Sequence, residues 1–444
     1  GLDGARYDFK QENNETVATI ILDGRKSIEF GYIVRKSVEG NEWAEKDPNK
    51  ELNRYIDLST ILSGTIDCYV DSGKDEVSEV LGEDILTGVK ISSVEYDKET
   101  NNIQIITGSP IDKDSDTAFK IKCADGSEVG IRSVTPATNK KEFTIEPEED
   151  LSSLTARVKK YFISFDGYDY KLVLEPSRIL YSSEEFENAF TYTGNDLGAT
   201  WTPEKTTFKV WAPTADKVEV NLYDNGQKGQ GSLTETLPMT KGDKGVWSTE
   251  KTGNIEGTYY TYAVTINGET TEACDPYART TGVNGDRAMV LNLEATNPEG
   301  WSEDTSPNNG MSYTDSVIYE LHVRDFSIDE SSGIKKEWQG KFLGLTQEGT
   351  TNKTGQTTGL DYLKDLGVTH IHLLPSYDYA TVDETKLDTP QYNWGYDPKN
   401  YNVPEGSYST EPEKGDVRVK EMKQMVKTLH DNNINVIMDV VYNH

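Results

Sequence analysis

The chain is poor in cysteine, poor in basic residues relative to acidic ones, and has no long apolar run. Its three cysteines, Cys68, Cys123 and Cys274, are odd in number and far apart. They form no CxxC pair and no evident metal set, so they read as isolated thiols. Lys and Arg number 45 against 76 Asp and Glu, a formal net charge of −31. That balance argues against nucleic acid or an anionic membrane as a partner, because both need a basic face. It leaves a neutral polymer open. No stretch approaches the roughly 18 apolar residues of a membrane-spanning helix. The first residues, GLDGARYDFK, lack the basic-then-apolar pattern of a signal peptide. They begin inside an apparent domain, so a leader could precede them, and export stays open.

What is plentiful is aromatic: 25 tyrosines and 7 tryptophans, more than packing alone usually requires. Ring faces can stack on sugar rings, although most should be core or strand residues. At 444 residues and roughly 100–200 residues per domain, three or four domains are expected.

Residues 1–82 read as short strands and turns, with β-rich runs at 17–22 (VATIIL), 28–34 and 64–70. Residues 84–179 alternate again, with strands predicted at 89–94, 103–107, 118–123 and 142–145 and a last pair between 161 and 174. Regular short strands between turn signals predict an immunoglobulin-like sandwich without visible chemistry. The acidic run 146–150 reads as a solvated loop. Residues 180–300 form a third β unit. Phe208, Val210 and Ala212 share one face, as do Val218, Val220 and Leu222, and Tyr260, Tyr262, Val264 and Ile266. Such alternation predicts half-buried antiparallel strands.

The period changes near residue 310. Strands are predicted at 317–323, 368–375 and 434–441. Between them lie a helix carrying Leu360, Leu363 and Leu366, ended by Gly367, and a second with the stripe Val419, Met422, Val426 and Leu429. The order β–α–β–α–β, with long loops after the first two strands, predicts the start of a (β/α)8 barrel, in which loops after strands build the active face. The expected fold is therefore multidomain: three β-sandwich domains followed by the first three β/α units of a TIM barrel, at 1–82, 84–179, 180–300 and 310–444.

Motifs carry a sharper reading. VIYELHVRDFS, SSGI, GKFLGL, GTTN, TGLDYLKDLGVTHIHLLP, YNWGYDPKNYNVPEGSYST and MDVVYNH follow one another from residue 317 to 444. This series resembles the type I pullulanases, debranching members of the α-amylase superfamily (glycoside hydrolase family thirteen). The stretch from FTYTGNDLG to KVEVNLY resembles the sandwich before the barrel in those enzymes, carbohydrate-binding module family forty-eight. GYIVRK, Trp43 and RYIDL resemble the second half of their starch-binding module, family forty-one, whose early binding tryptophans have no counterpart before Tyr7. The resemblance would put polar glucan contacts on Lys46 and Asn53. Trp211 and Trp247 could touch glucan, but core or domain-contact roles are favoured.

A subsite that binds a glucosyl ring on its way to an oxocarbenium ion needs an aromatic face for the developing charge and hydrogen-bonding groups for the hydroxyls. Tyr396, after Gly395, is the candidate platform, and the resemblance puts the stacking tyrosine there. Asp397 can accept from sugar hydroxyls and His444 can donate to one. Asp439, on a barrel strand, must be paired, and is expected to orient the site, through an arginine beyond residue 444 if through any cation. His370 and His372 could pass for a metal pair, but no carboxylate set accompanies them, so barrel packing is expected. Asn443 matches a calcium position of many α-amylases that the pullulanase branch does not reliably use. Calcium stays unassigned, and no cofactor is expected.

Retaining hydrolysis needs two carboxyl groups about 5–5.5 Å apart. The resemblance places the Asp nucleophile and the Glu acid/base after strands four and five, beyond His444, so no catalytic residue is expected within these 444 residues. The reading is a glycoside hydrolase that cleaves α-1,6 branch linkages in pullulan, starch and limit dextrins, extracellular or cell-surface by resemblance. The rest of the barrel would come from the same or a second chain, and this portion alone would be inactive. The alternative is a non-catalytic α-glucan-binding protein with a truncated barrel.

Overall fold

The computed structural model describes residues 10–12, 15–17, 29–32, 35–38, 41–46, 54–57, 66–70, 77–81, 91–107, 119–165, 171–174, 176–307 and 310–443. The chain forms two compact units, residues 1–176 and 177–444, and several sheet-rich parts.

In the first unit, short antiparallel pairs cover the described residues up to 81: Lys10–Glu12 with Glu15–Val17, Glu29–Tyr32 with Arg54–Asp57, Arg35–Val38 with Asn41–Lys46, and Ile66–Val70 with Val77–Leu81. Two four-stranded sheets follow. One runs Ile131–Pro136, Glu142–Pro147, Asn102–Thr107, Ile91–Asp97. The other runs Glu128–Val129, Phe119–Cys123, Tyr161–Phe165, Lys171–Leu174. Strict alternation drives them together. Phe119, Ile121 and Cys123 are buried with Lys120 and Lys122 exposed between them, and they share one apolar cluster with Ile103, Ile105, Phe143 and Ile145 of the other sheet. The acidic run is not wholly a loop, because Glu146 and Pro147 belong to a strand and Pro147 is buried.

The second unit begins with the sandwich whose faces the sequence displayed. Its sheets run Gly198–Trp201, Lys205–Trp211, Val246–Thr252, Thr240–Lys241 and Leu233–Pro238, Lys217–Tyr223, Tyr259–Ile266, Glu269–Ala273. Phe208, Val210, Val218, Val220, Leu222, Tyr260 and Tyr262 are all buried in one cluster. Burying each such side chain is worth about 1.5–3 kcal/mol. Trp247 is in that core and donates its ring N–H to the Ala212 carbonyl at 2.9 Å. Of the two roles expected of Trp211, core or domain contact, it does not take the core one. It is 41% exposed, with its N–H bridging the Phe190 and Lys244 carbonyls.

Asp275 lies beneath this sandwich, 1% exposed, accepting from the Tyr260 hydroxyl at 2.6 Å and the Tyr277 N–H at 2.8 Å. Burial pushes its carboxyl up from 3.8 to about 6. A carboxyl whose folded pKa exceeds its unfolded one gives full stability below the unfolded value and loses it as pH rises through the folded one. About two units correspond to ~2–3 kcal/mol. Asp275→Asn, which offers both an acceptor and a donor here, should lack this loss. In urea unfolding, the variant should gain on its parent by about that amount between pH 4 and pH 7. A difference that does not change with pH would refute the assignment.

The residues that follow include a parallel sheet of Ile318–Leu321, His370–Leu373 and Asn435–Met438, in that order. Helix Gly359–Leu366 is stopped by Gly367 at φ +73°, a left-handed cap that glycine adopts without strain. Helix Gly415–Asp431 buries Val419, Met425 and Leu429. Leu321, Leu373, Leu360, Leu363 and Phe342 close the core on the helical side. All three strands are shorter than expected, the second running from His370 to Leu373. The first ends at Leu321, because His322 caps the short helix Val323–Ser327, its Nδ1 accepting the Asp325 N–H at 3.3 Å. The third ends at Met438, and Met438, Val440 and Tyr442 are exposed rather than covered on both sides.

Candidate active site

The loop after the second strand folds back as a hairpin, Tyr377–Tyr379 against Pro398–Pro404, with Asp378 opposite Asn400 and Tyr379 opposite Pro398. The aromatic run 392–397 lies in the connection of this hairpin and is clamped at its base by the Ala380 N–H on the Asp397 carbonyl at 3.0 Å. Gly395 has φ +91°, and a Cβ there would sit 2.8 Å from the Pro375 carbonyl oxygen. Only glycine fits both demands. Asn393 ties the loop inwardly: its Nδ2 donates to Asp397 Oδ1 at 2.8 Å and to Thr381 Oγ1 at 2.6 Å, and its Oδ1 accepts the Gly395 N–H at 2.7 Å.

These constraints project rings outward. Tyr392, Trp394 and Tyr396 are 56%, 61% and 38% exposed. Tyr401 packs 5.4 Å from Tyr442, past the end of the third strand. Tyr396 reaches that strand's end as well, its hydroxyl donating to Asp439 Oδ2 at 2.6 Å. The hydrogen bond to Asp439 is the chief reason its phenol is pushed up to about 12. It therefore remains a donor throughout the neutral range.

Asp439 is thus paired with a phenol. Its Oδ2 is also 3.9 Å from His372 Nε2, and His372 Nδ1 is 3.5 Å from Glu320 Oε2. The carboxylates that sequence reading did not find around His372 come from the two flanking strands. Glu320 stands in register with His372 on the first, and Asp439 follows Met438 on the third. Glu320, His372, Asp439 and Tyr396 so form one polar row across the strand ends, and packing alone does not describe His372. His370 does fill the expected packing role, being 6% exposed with Nδ1 2.8 Å from Thr369 Oγ1.

Asp397 uses Oδ1 to close the loop, while Oδ2 is shielded and has no hydrogen-bond partner among the described residues. Lys46 ends a strand opposite Arg35, and its side chain lies outside the described residues, as do Asn53 and His444. Sequence reading missed His322. It is buried under the loop, Nε2 2.8 Å from the Asn393 carbonyl and 3.2 Å from the Tyr408 hydroxyl, with the Tyr392 ring stacked on it at 5.3 Å. Its place directly after the first strand was the available signal, since barrel sites gather at strand C-termini.

Among the described residues one acidic set has the spacing of a metal site: the buried carboxylates of Asp378, Glu384 and Glu405, all within 4.8 Å of one another. A cation is already present there. The Arg418 guanidinium lies 2.9 Å from Glu384 Oε2 and 3.4 Å from Asp378 Oδ1, so the cluster is better described as an ion-pair core.

Residues 196–278 match carbohydrate-binding module 48 (isoamylase N-terminal domain), and residues 338–444 match the α-amylase catalytic domain. The pullulanase of Bacillus subtilis (strain 168) is 43% identical over 261 residues, covering 58% of this chain and 34% of the relative. Pullulanase 1, chloroplastic, of Arabidopsis thaliana is 36% identical over 295 residues, covering 58% and 30%. The chain therefore spans about a third of the length of these curated relatives. Among solved structures, the pullulanase from Anoxybacillus sp. LM18-11 complexed with maltotriose superposes with a TM-score of 0.64 at 36% identity, covering 80% of this chain and 49% of that one. The apo pullulanase from Paenibacillus barengoltzii gives 0.57 at 50% identity, covering 59% and 40%. No described helix is long and apolar enough to cross a membrane. With its sandwich matched to carbohydrate-binding module 48 and its parallel sheet reaching into the α-amylase catalytic domain, the chain is a homologue of the pullulanases.

Proposed function

We propose that this chain supplies the sugar-platform side of the active site of a retaining α-1,6-glucan debranching hydrolase. The observation that carries the reading is the 2.6 Å bond from Tyr396 to Asp439. It holds a half-exposed ring across the end of the third parallel strand, inside a loop whose other rings are also exposed. A ring face held there contacts the apolar face of a glucosyl unit and stabilises positive charge as the ring flattens. Glu320 and His372 keep the Asp439 end of the row polar, so the platform is oriented by its hydroxyl edge. The nucleophile and the acid/base, the two carboxyls that retention requires, are assigned to later strands of the same barrel and not to residues of this chain.

The finer domain reading belongs to the same proposal. Residues 1–82 are part of a starch-binding sandwich with Lys46 and Asn53 as contacts, 84–179 an immunoglobulin-like spacer, 180–300 the sandwich before the barrel, and 310–444 its first three β/α units. His444 is assigned to a sugar hydroxyl, the partner is an α-glucan, the setting is extracellular or the cell surface, and no cofactor is required, calcium staying unassigned.

The test is affinity electrophoresis of the 444-residue chain in gels containing pullulan or dextran, with maltotriose release followed in parallel. Retardation by pullulan and not by dextran, without maltotriose release, is expected. Equal mobility in both gels would refute the sugar site, and release of maltotriose would overturn the assignment of catalysis to other strands.

A further inference from the structure

A two-stranded hairpin alone is marginal in water, and the one that carries the aromatic loop is anchored from outside the barrel. Val403, on its second strand, is 1% exposed and packs into the sandwich core beside Ala288 and Val290. A turn of the sandwich, residues 281–286, then meets the hairpin with polar groups. Asn284 lies at its centre with φ +61°. Its side-chain Oδ1 accepts the Glu384 N–H at 2.7 Å, its own N–H donates to Glu384 Oε2 at 3.1 Å, and its Nδ2 donates to Asp383 Oδ1 at 3.2 Å. Lys399 Nζ donates to the Asn284 carbonyl at 2.6 Å and to Asp286 Oδ1 at 2.8 Å. Asn400 Nδ2 donates both to the Gly285 carbonyl at 2.9 Å and to Asp378 Oδ2 across the hairpin at 2.6 Å. No Cβ fits at Gly285, because it would lie 2.2 Å from that same carboxylate oxygen.

We propose that the 281–286 turn is a positioning element for the candidate active site: by gripping the hairpin at Glu384, Lys399 and Asn400, it sets where the Tyr396 ring meets Asp439. Lys399 and Asn400 follow Tyr396 by three and four residues, on the strand that leaves the aromatic run. A shift of that strand moves Asp397 against Ala380, and Tyr396 with it. The sandwich thereby acts on the site through the loop it holds, whatever its own affinity for glucan. The consequence for sugar binding rests on the reading of Tyr396 as a platform; the anchoring itself does not.

The test uses Asn284→Gly in the 444-residue chain. Glycine accepts the positive φ without strain and deletes only the side-chain bonds. Hydrogen exchange should quicken about tenfold, the scale of one to two lost hydrogen bonds, in peptides spanning the hairpin and residues 392–397. The sandwich strands 205–211 and 259–266 should be unaffected. Maltotriose affinity should fall by a similar factor. Lys399→Ala, on an exposed side chain, should reproduce both effects more weakly. Unchanged exchange at the hairpin, acceleration spread evenly over residues 177–444, or faster hairpin exchange with maltotriose affinity intact would each overturn the proposal. Failure of the parent chain to bind maltotriose would sink the sugar reading separately, and the exchange pattern would then decide the anchoring by itself.

Discussion

Tyr396→Ala should weaken maltotriose binding by about tenfold, the worth of one ring contact, while Tyr396→Phe should cost a few-fold at most. The two substitutions divide the residue into its ring and its hydroxyl. Alanine removes both the stacking surface and the donor to Asp439. Phenylalanine keeps the surface and removes only the 2.6 Å hydrogen bond, whose net value at a half-exposed site is about 1 kcal/mol. In a protein that also holds the catalytic carboxylates, the alanine effect should fall on kcat far more than on KM. The ring's attraction for positive charge is felt once the glucosyl unit becomes cationic, and is worth about 2 kcal/mol or more when desolvated. Isothermal titration measures the first comparison and steady-state kinetics the second. Alanine and phenylalanine variants that bind alike would deny the ring a stacking role. A KM change with kcat intact would deny it a role in the transition state.

The parts of this site that sequence reading found were those with a local signal. Alternation at 205–211, 217–223 and 259–266 foretold which residues meet in the sandwich core, and Phe208, Val220 and Tyr262 are all buried as expected. The strand Ile131–Pro136 went unseen, because a single residue of it, Val134, is buried and its neighbours are Arg, Ser and Thr. The aromatic run and the residues around Asp439 were legible as separate motifs. Their contact was not, since residues 43 apart in sequence meet only when two strand ends lie side by side.

His372 was misjudged for the same reason. Its carboxylate neighbours stand on other strands, and register rather than spacing brings them in. His322 was overlooked because nothing in ELHVRDF marks it except its place after a strand. Arg418 gave no signal whatever. In VRVKEMKQM it occupies a helix position that charged residues usually turn to water, and its partners Asp378 and Glu384 are 40 and 34 residues away.

That arginine is where the largest loss of stability is expected. Arg418→Met should destabilise the 177–444 unit by about 3–5 kcal/mol, because a broken buried pair leaves charge without compensation. The guanidinium is wholly buried, with Asp378, Glu384 and Glu405 each under 5% exposed. Three carboxyls face one cation, and protons make up part of the difference. Burial, opposed by Arg418, pushes Asp378 up to about 6, and burial with the charge of Glu384 drives Glu405 well above its ordinary value. Glu405 also accepts the Tyr379 and Ser407 N–H groups at 3.1 and 2.8 Å, which keeps the hairpin's first strand on the cluster. Lys341 also lies near it, its ammonium donating to the Ser407 carbonyl at 2.7 Å.

Without the guanidinium, the folded-state pKa values of Asp378 and Glu405 rise further above their unfolded ones. Stability tied to such groups is present at low pH and lost as pH increases. The deficit of the methionine variant should therefore be largest near pH 8 and smaller near pH 5, as read from urea midpoints. Arg418→Met combined with Glu384→Gln should recover part of it, because the second change removes one of the stranded charges. A deficit that is the same at both pH values, or a double variant no more stable than the single, would show that Arg418 acts here as packing volume rather than as charge.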